Sequence, residues 1–136
     1  MANLIKPYGL DPFGPSLSPP ITSSFATQAI FSNLPAYRQG ISHVARGLEI
    51  GMSHGYFLLG PFVCLGPLRN SEIANLAGFL SVIGLITILG IALIIYSYVS
   101  EKEEKIIWNQ FTIGFITGAI GGAGFAYGLL ENISIS

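Results

Sequence analysis

Charge is the scarcest property of this sequence: Lys, Arg, Asp and Glu together make up 10% of its 136 residues, and the net charge is −1. Its six lysines and arginines are scattered and form no basic stripe against a phosphate backbone, so no nucleic acid is expected as a partner. Cysteine is nearly absent. The single Cys64 excludes an intramolecular disulfide and a thiolate metal cluster, and its place in an apolar run points to a buried structural thiol. The first 20 residues also lack the continuous apolar core, about 7 to 15 residues long, of a secretory signal, and the Arg-rich pattern of a transit peptide. A mature chain, or one made in the compartment that uses it, is expected.

What replaces charge is apolar surface. With 51% hydrophobic residues and a mean hydropathy of +0.62, the chain reads as an integral membrane protein of the all-α class. The uncharged runs from Ile73 to Ser100 and from Ile106 to Leu130 each exceed the roughly 20 residues that carry a helix across about 30 Å of hydrocarbon. A third candidate lies between Arg46 and Arg69, where 22 residues include Glu49, His54, Pro61 and five glycines. The spacing therefore predicts a three-helix membrane domain over 46–136, with spans at about 47–67, 73–99 and 106–130. Ser42 is positioned to cap the first span, Asn70 or Ser71 the second, and Pro61 should kink or end the first.

Residues 1–45 form a different region. Four prolines between Pro12 and Pro20, with Gly14 among them, predict an extended arm on the membrane surface, ordered only by docking. Helical spacing of Phe25, Ala29 and Ile30 followed by Pro35 predicts a short interfacial helix and a turn. Lys6, Arg38 and Arg46 precede the first span, Lys102 and Lys105 lie in the second loop, and only Arg69 lies in the first. This bias puts the arm and the second loop on the cytoplasm-like, or stromal, side, with Tyr96, Tyr98 and Trp108 in an aromatic belt. The glutamates Glu101, Glu103 and Glu104 read as part of a solvated turn.

The third span carries Gly114, Gly118 and Gly122 at a spacing of four, and Gly124 and Gly128 repeat that step. Such a face lets another helix backbone approach closely.

Glu49 and His54 are the residues that a lipid-facing helix should not contain, which makes each a candidate functional group. Five residues separate them, so they lie about 140° apart around a helix and do not share one metal ion. Glu49 can instead pair with Arg46 one turn earlier, and His54 can bond a carbonyl or serine on a neighbouring helix. A small transport or proton-relay subunit is one function in which both would titrate. Axial ligation of a tetrapyrrole metal accounts for both as well, because each side chain then serves one macrocycle on its own face. Bis-histidine haem needs a second histidine at depth, whereas the only other one, His43, precedes the span. Chlorophyll magnesium, a hard cation served by one imidazole or carboxylate, fits better, and Gly47, Gly51, Gly55 and Gly60 would leave room for a flat ring.

The runs NLPAYRQG (Asn33 to Gly40), RGLEIGMSHGYFLLGPF (Arg46 to Phe62), LGPLRN (Leu65 to Asn70) and ANLAG (Ala74 to Gly78) resemble subunit XI of photosystem I, the PsaL family. KPY and DPF in the arm, with WNQFTIGF and LLEN near the end, extend the resemblance over nearly the whole chain. It implies a non-enzymatic, three-helix subunit of the plastid or cyanobacterial thylakoid membrane. Such a subunit packs on the large core subunits of photosystem I and adjacent small membrane subunits and binds chlorophyll a and a carotenoid (beta-carotene). Glu49 and His54 stand where the family ligates chlorophyll magnesium. Trimers of the cyanobacterial type use a C-terminal extension; this sequence ends five residues after Glu131, which places trimer formation in doubt.

Overall fold

The computed structural model describes residues 24–133, all helix or turn, with no strand among them. The proline-rich arm over 1–23 and the last three residues, which bear on trimer formation, lie outside the described residues. The chain divides into two units, one ending at Ile41 and the other beginning at Ser42.

In the first unit, α1 spans Phe25–Asn33. Ser24 caps it, its hydroxyl oxygen accepting from the Thr27 amide at 3.2 Å. At the other end the Leu34 amide bonds back to Ile30 and Phe31 before Pro35 blocks continuation. The Phe31 and Tyr37 rings pack 5.7 Å apart across the turn, and Gly40 takes a left-handed φ of 82° that side chains disfavour. No residue of α1 is buried, and Phe25 is 87% exposed. It is a helix without a core of its own.

The second unit contains α2 (His43–Leu65), α3 (Ala74–Val99) and α4 (Lys102–Asn132), each long and apolar enough to cross a membrane. Ser42 caps α2 as expected, accepting from the Ala45 amide at 3.1 Å. The helix runs through Pro61 and ends four residues later, so the proline does not finish it. The expected cap of α3 is not made. Ser71 turns its hydroxyl back onto the Leu68 carbonyl at 2.7 Å, its own carbonyl accepts from the Ala74 amide, and Ile73 takes the cap position without a side-chain bond. Glu72 consequently precedes the helix.

The charged segment after α3 also differs from the expected loop. Only Ser100 and Glu101 separate α3 from α4, and Glu103 and Glu104 lie in the first turn of α4, where its positive dipole end favours them. Lys105, the next residue, sits 4.2 Å above the Tyr98 ring.

α4 is the central element, packing on both other spans and most extensively on α2. The core joins Leu59 of α2, Val82 and Ile86 of α3, and Ala119, Ala123 and Ala126 of α4. Most large apolar side chains, such as Phe57, Leu80, Ile88 and Ile113, point outward instead, as expected where hydrocarbon or another subunit replaces water.

The closest approach is between α2 and α4. A Cβ on Gly47, Gly51 or Gly55 would collide with the carbonyls of Phe111, Phe115 and Ala119 in turn. A Cβ on Gly114, Gly118 or Gly122 would likewise meet those of Val44, Leu48 and Met52. Each step of four on one helix is matched by a step of four on the other, so the two run parallel with backbone against backbone. Small residues are required on both sides for van der Waals contact at this separation.

Polar bonds tie α3 to α4 near both ends. Ser97, fully buried, has its hydroxyl 2.8 Å from both the Ile94 carbonyl and Asn109 Oδ1, and Asn75 Nδ2 donates to Glu131 Oε1 at 3.2 Å.

Candidate functional site

His54 stands eleven residues into α2, about 16 Å along its axis. Its Nδ1 lies 2.8 Å from the Ile50 carbonyl oxygen. A carbonyl can only accept, so Nδ1 carries a proton, and Nε2 is the ring nitrogen left to meet a ligand. The alternative of a bond to a neighbouring helix is thus replaced by one within α2. The ring is exposed on the chain and braced edge-on by the buried Phe115, with centroids 5.7 Å apart. The result is an imidazole held in one orientation and one tautomer, with a free nitrogen donor.

That imidazole borders a groove of about 440 Å³ shared by the three spans. Ile50 and His54 come from α2, Leu89, Ala92, Leu93 and Tyr96 from α3, and Trp108, Phe111 and Phe115 from α4. The α4 residues recur at steps of three and four and therefore share one helix face. Sequence reading placed Trp108 and Tyr96 in an interfacial belt and passed over Phe111 and Phe115. The 108, 111, 115 spacing was the available signal, although what the face meets is decided by α2 and α3.

Glu49 is half-buried on another face of α2. It lies about 140° from His54 and about 160° from Gly51 at the α4 contact, so it points away from that helix. The Ser53 hydroxyl donates to its backbone carbonyl at 3.1 Å. The structure does not bring Glu49 and His54 together, and among the described residues no three His, Cys, Asp or Glu side chains gather into a metal site.

Three expectations about the surroundings are corrected. Gly47, Gly51 and Gly55 do not leave room for a flat ring, because the α4 backbone fills that face; only Gly60 has open space where a side chain would stand. Gly124 and Gly128 likewise face open space and do not continue the helix contact made by Gly114, Gly118 and Gly122. Cys64, expected to be a buried thiol, is exposed near the end of α2.

The family model for Photosystem I reaction centre subunit XI matches residues 4–135. The chain belongs to that family. It is 55% identical over 140 residues to the Photosystem I reaction center subunit XI of Cyanidioschyzon merolae, covering 98% of this chain and 100% of the relative. The subunit XI of Trieres chinensis is 54% identical over 144 residues, covering 98% and 96%, and that of Cyanothece sp. 52% over 141 residues, covering 97% and 89%. Membership makes the chain a subunit of photosystem I, associated with other subunits of that complex, and its three long apolar helices are suited to a membrane setting.

Proposed function

We propose that the chain is a non-catalytic, chlorophyll-binding structural subunit of photosystem I in the thylakoid membrane. It packs against the large core subunits and adjacent small membrane subunits. His54 and Glu49 are the axial ligands to the magnesium of two chlorophyll a molecules, and the outward apolar faces of the helices accommodate carotenoid.

The observation that carries this reading is the His54 hydrogen bond. Committing Nδ1 to the Ile50 carbonyl at 2.8 Å leaves Nε2 as the oriented nitrogen available to a metal whose other ligands come from its own macrocycle. The apolar groove beside it suits a flat hydrophobic ring. Glu49 offers a carboxylate oxygen, a hard donor matched to magnesium. When bound, chlorophyll supplies light absorption and excitation transfer. The chain supplies the ligand atoms, the apolar enclosure and a rigid three-helix frame. A proton relay is less well served, since the two titratable groups lie on separate faces and the groove at His54 is lined almost entirely by hydrocarbon.

The test is pigment content. In photosystem I particles assembled to equal levels, His54→Leu and Glu49→Ala should each lose about one chlorophyll per complex. Unchanged content in both variants would remove the ligand assignment.

A further inference from the structure

The groove beside His54 has one wall built as an unbroken series of aromatic contacts. Tyr96 meets Trp108 edge-on at 4.8 Å, Trp108 meets Phe111 at 5.6 Å, Phe111 stacks on Phe115 at 6.2 Å, and Phe115 meets His54 at 5.7 Å. Seven residues of α4 separate Trp108 from Phe115, so the series climbs about 10 Å from the level of the imidazole towards the end of the bundle that carries Lys102 and Lys105.

Of the side chains lining this groove, only those of His54, Tyr96 and Trp108 contain nitrogen or oxygen. His54 Nδ1 is committed to the Ile50 carbonyl. Among the described residues the Trp108 indole N–H meets no acceptor, although the residue is half-buried. Its nitrogen is not among the buried unpaired atoms, so the N–H is open to whatever occupies the surface of the bundle. An indole nitrogen can only donate, and beside hydrocarbon, which offers no acceptor, that N–H calls for a partner. Tyr96 is 49% exposed beside the helix end, where its hydroxyl can reach water or headgroups.

We infer that Trp108 is a second binding residue for the pigment held by His54, its indole N–H donating a hydrogen bond to a carbonyl at the edge of that macrocycle. A chlorophyll offers a metal at its centre and keto and ester carbonyls on its rim, and the groove presents a nitrogen ligand at one level with a lone donor above it. Ligation alone leaves rotation about the metal–nitrogen axis undetermined. The Trp108 bond fixes it, turning the carbonyl-bearing edge towards the Tyr96 end, and Tyr96 holds the indole by its edge-on contact. A hydrogen bond to a conjugated keto group also alters the ring's absorption, so the residue tunes the pigment as well as orienting it. This inference rests on His54 being a ligand, and its test separates the two claims.

The experiment is a cryo-electron microscopy map of the intact photosystem I particle containing this chain, paired with resonance Raman difference spectra between the native particle and Trp108→Phe. The map should show a macrocycle on His54 with a rim carbonyl about 2.7 to 3.2 Å from Trp108 Nε1. In Trp108→Phe one hydrogen-bonded carbonyl band should be replaced by one free band at higher frequency. A macrocycle on His54 whose carbonyls point elsewhere, with Nε1 bonded to water or a lipid headgroup, would overturn the inference and leave the ligand intact. A groove holding no pigment in the native particle would overturn both. Since the map is of the native particle, the outcome does not depend on the variant assembling.

Discussion

Ser97 of α3 and Asn109 of α4 meet at 2.8 Å across the tightest turn of the membrane domain, with Ser97 completely buried. A hydroxyl has one proton, and the Ile94 carbonyl also stands 2.8 Å from this one. Both contacts are satisfied together when the proton goes to Ile94 and the Asn109 amide is turned so that its NH2 donates to Ser97 Oγ. A double-mutant cycle over Ser97→Ala and Asn109→Ala should therefore give a favourable coupling of about 0.6 to 1.7 kcal/mol in membrane unfolding measurements. A coupling near zero would mean that the pair does not hold the α3–α4 hairpin.

The α2–α4 contact makes a comparison of two glycines informative. A methyl on Gly118 runs into the Leu48 backbone, which has no rotamer to change, whereas one on Gly121 meets nothing within 4 Å. Gly118→Ala should destabilise the bundle by about 1 to 3 kcal/mol. Gly121→Ala should be neutral or slightly stabilising through helix propensity. Gly118→Leu should also lower incorporation of the subunit into the complex. Equal tolerance of both alanine variants would remove the backbone-to-backbone contact from the account.

If Glu49 and His54 serve separate pigments, their losses should be independent. They stand on different faces of α2, so the Glu49→Ala, His54→Leu double variant should lose the sum of what each single variant loses. Pigment counting on particles of equal assembly checks this. A double variant that loses no more than either single one would mean one shared site.

Cys64 gives a test of orientation. It is exposed, and it is the one cysteine of the chain, so any thiol label reports a single position near the end of α2. The bias of basic residues predicts that this end of α2 lies on the side away from the stroma. A membrane-impermeant maleimide should label vesicles only where that side faces outward, with Cys64→Ser as the blank. Labelling from the stromal face would invert the topology.

Much of this was legible in the sequence because it depends on local properties. Length and hydropathy determined that three segments can span, since both belong to a contiguous run and need no neighbour. Ser42 was readable as a cap because its bond closes within three residues. The separation of Glu49 from His54 around α2 follows from helical pitch alone. The step-of-four glycines of α4 announced a close contact, and family membership was written in long runs of sequence.

What only the tertiary structure decided is what each face meets. The same spacing in α2 suits a flat ring or another backbone, and it is α4, some 64 residues later, that fills Gly47, Gly51 and Gly55. The groove at His54 exists only where three helices converge, so Phe111 and Phe115 carry no mark of it in sequence. Ser71 fails to cap α3 because a turn with Leu68 competes for its hydroxyl, and Cys64 is exposed because none of the described helices covers that side of α2. A helix's periodicity fixes which residues share a face; packing between distant segments fixes what that face is for.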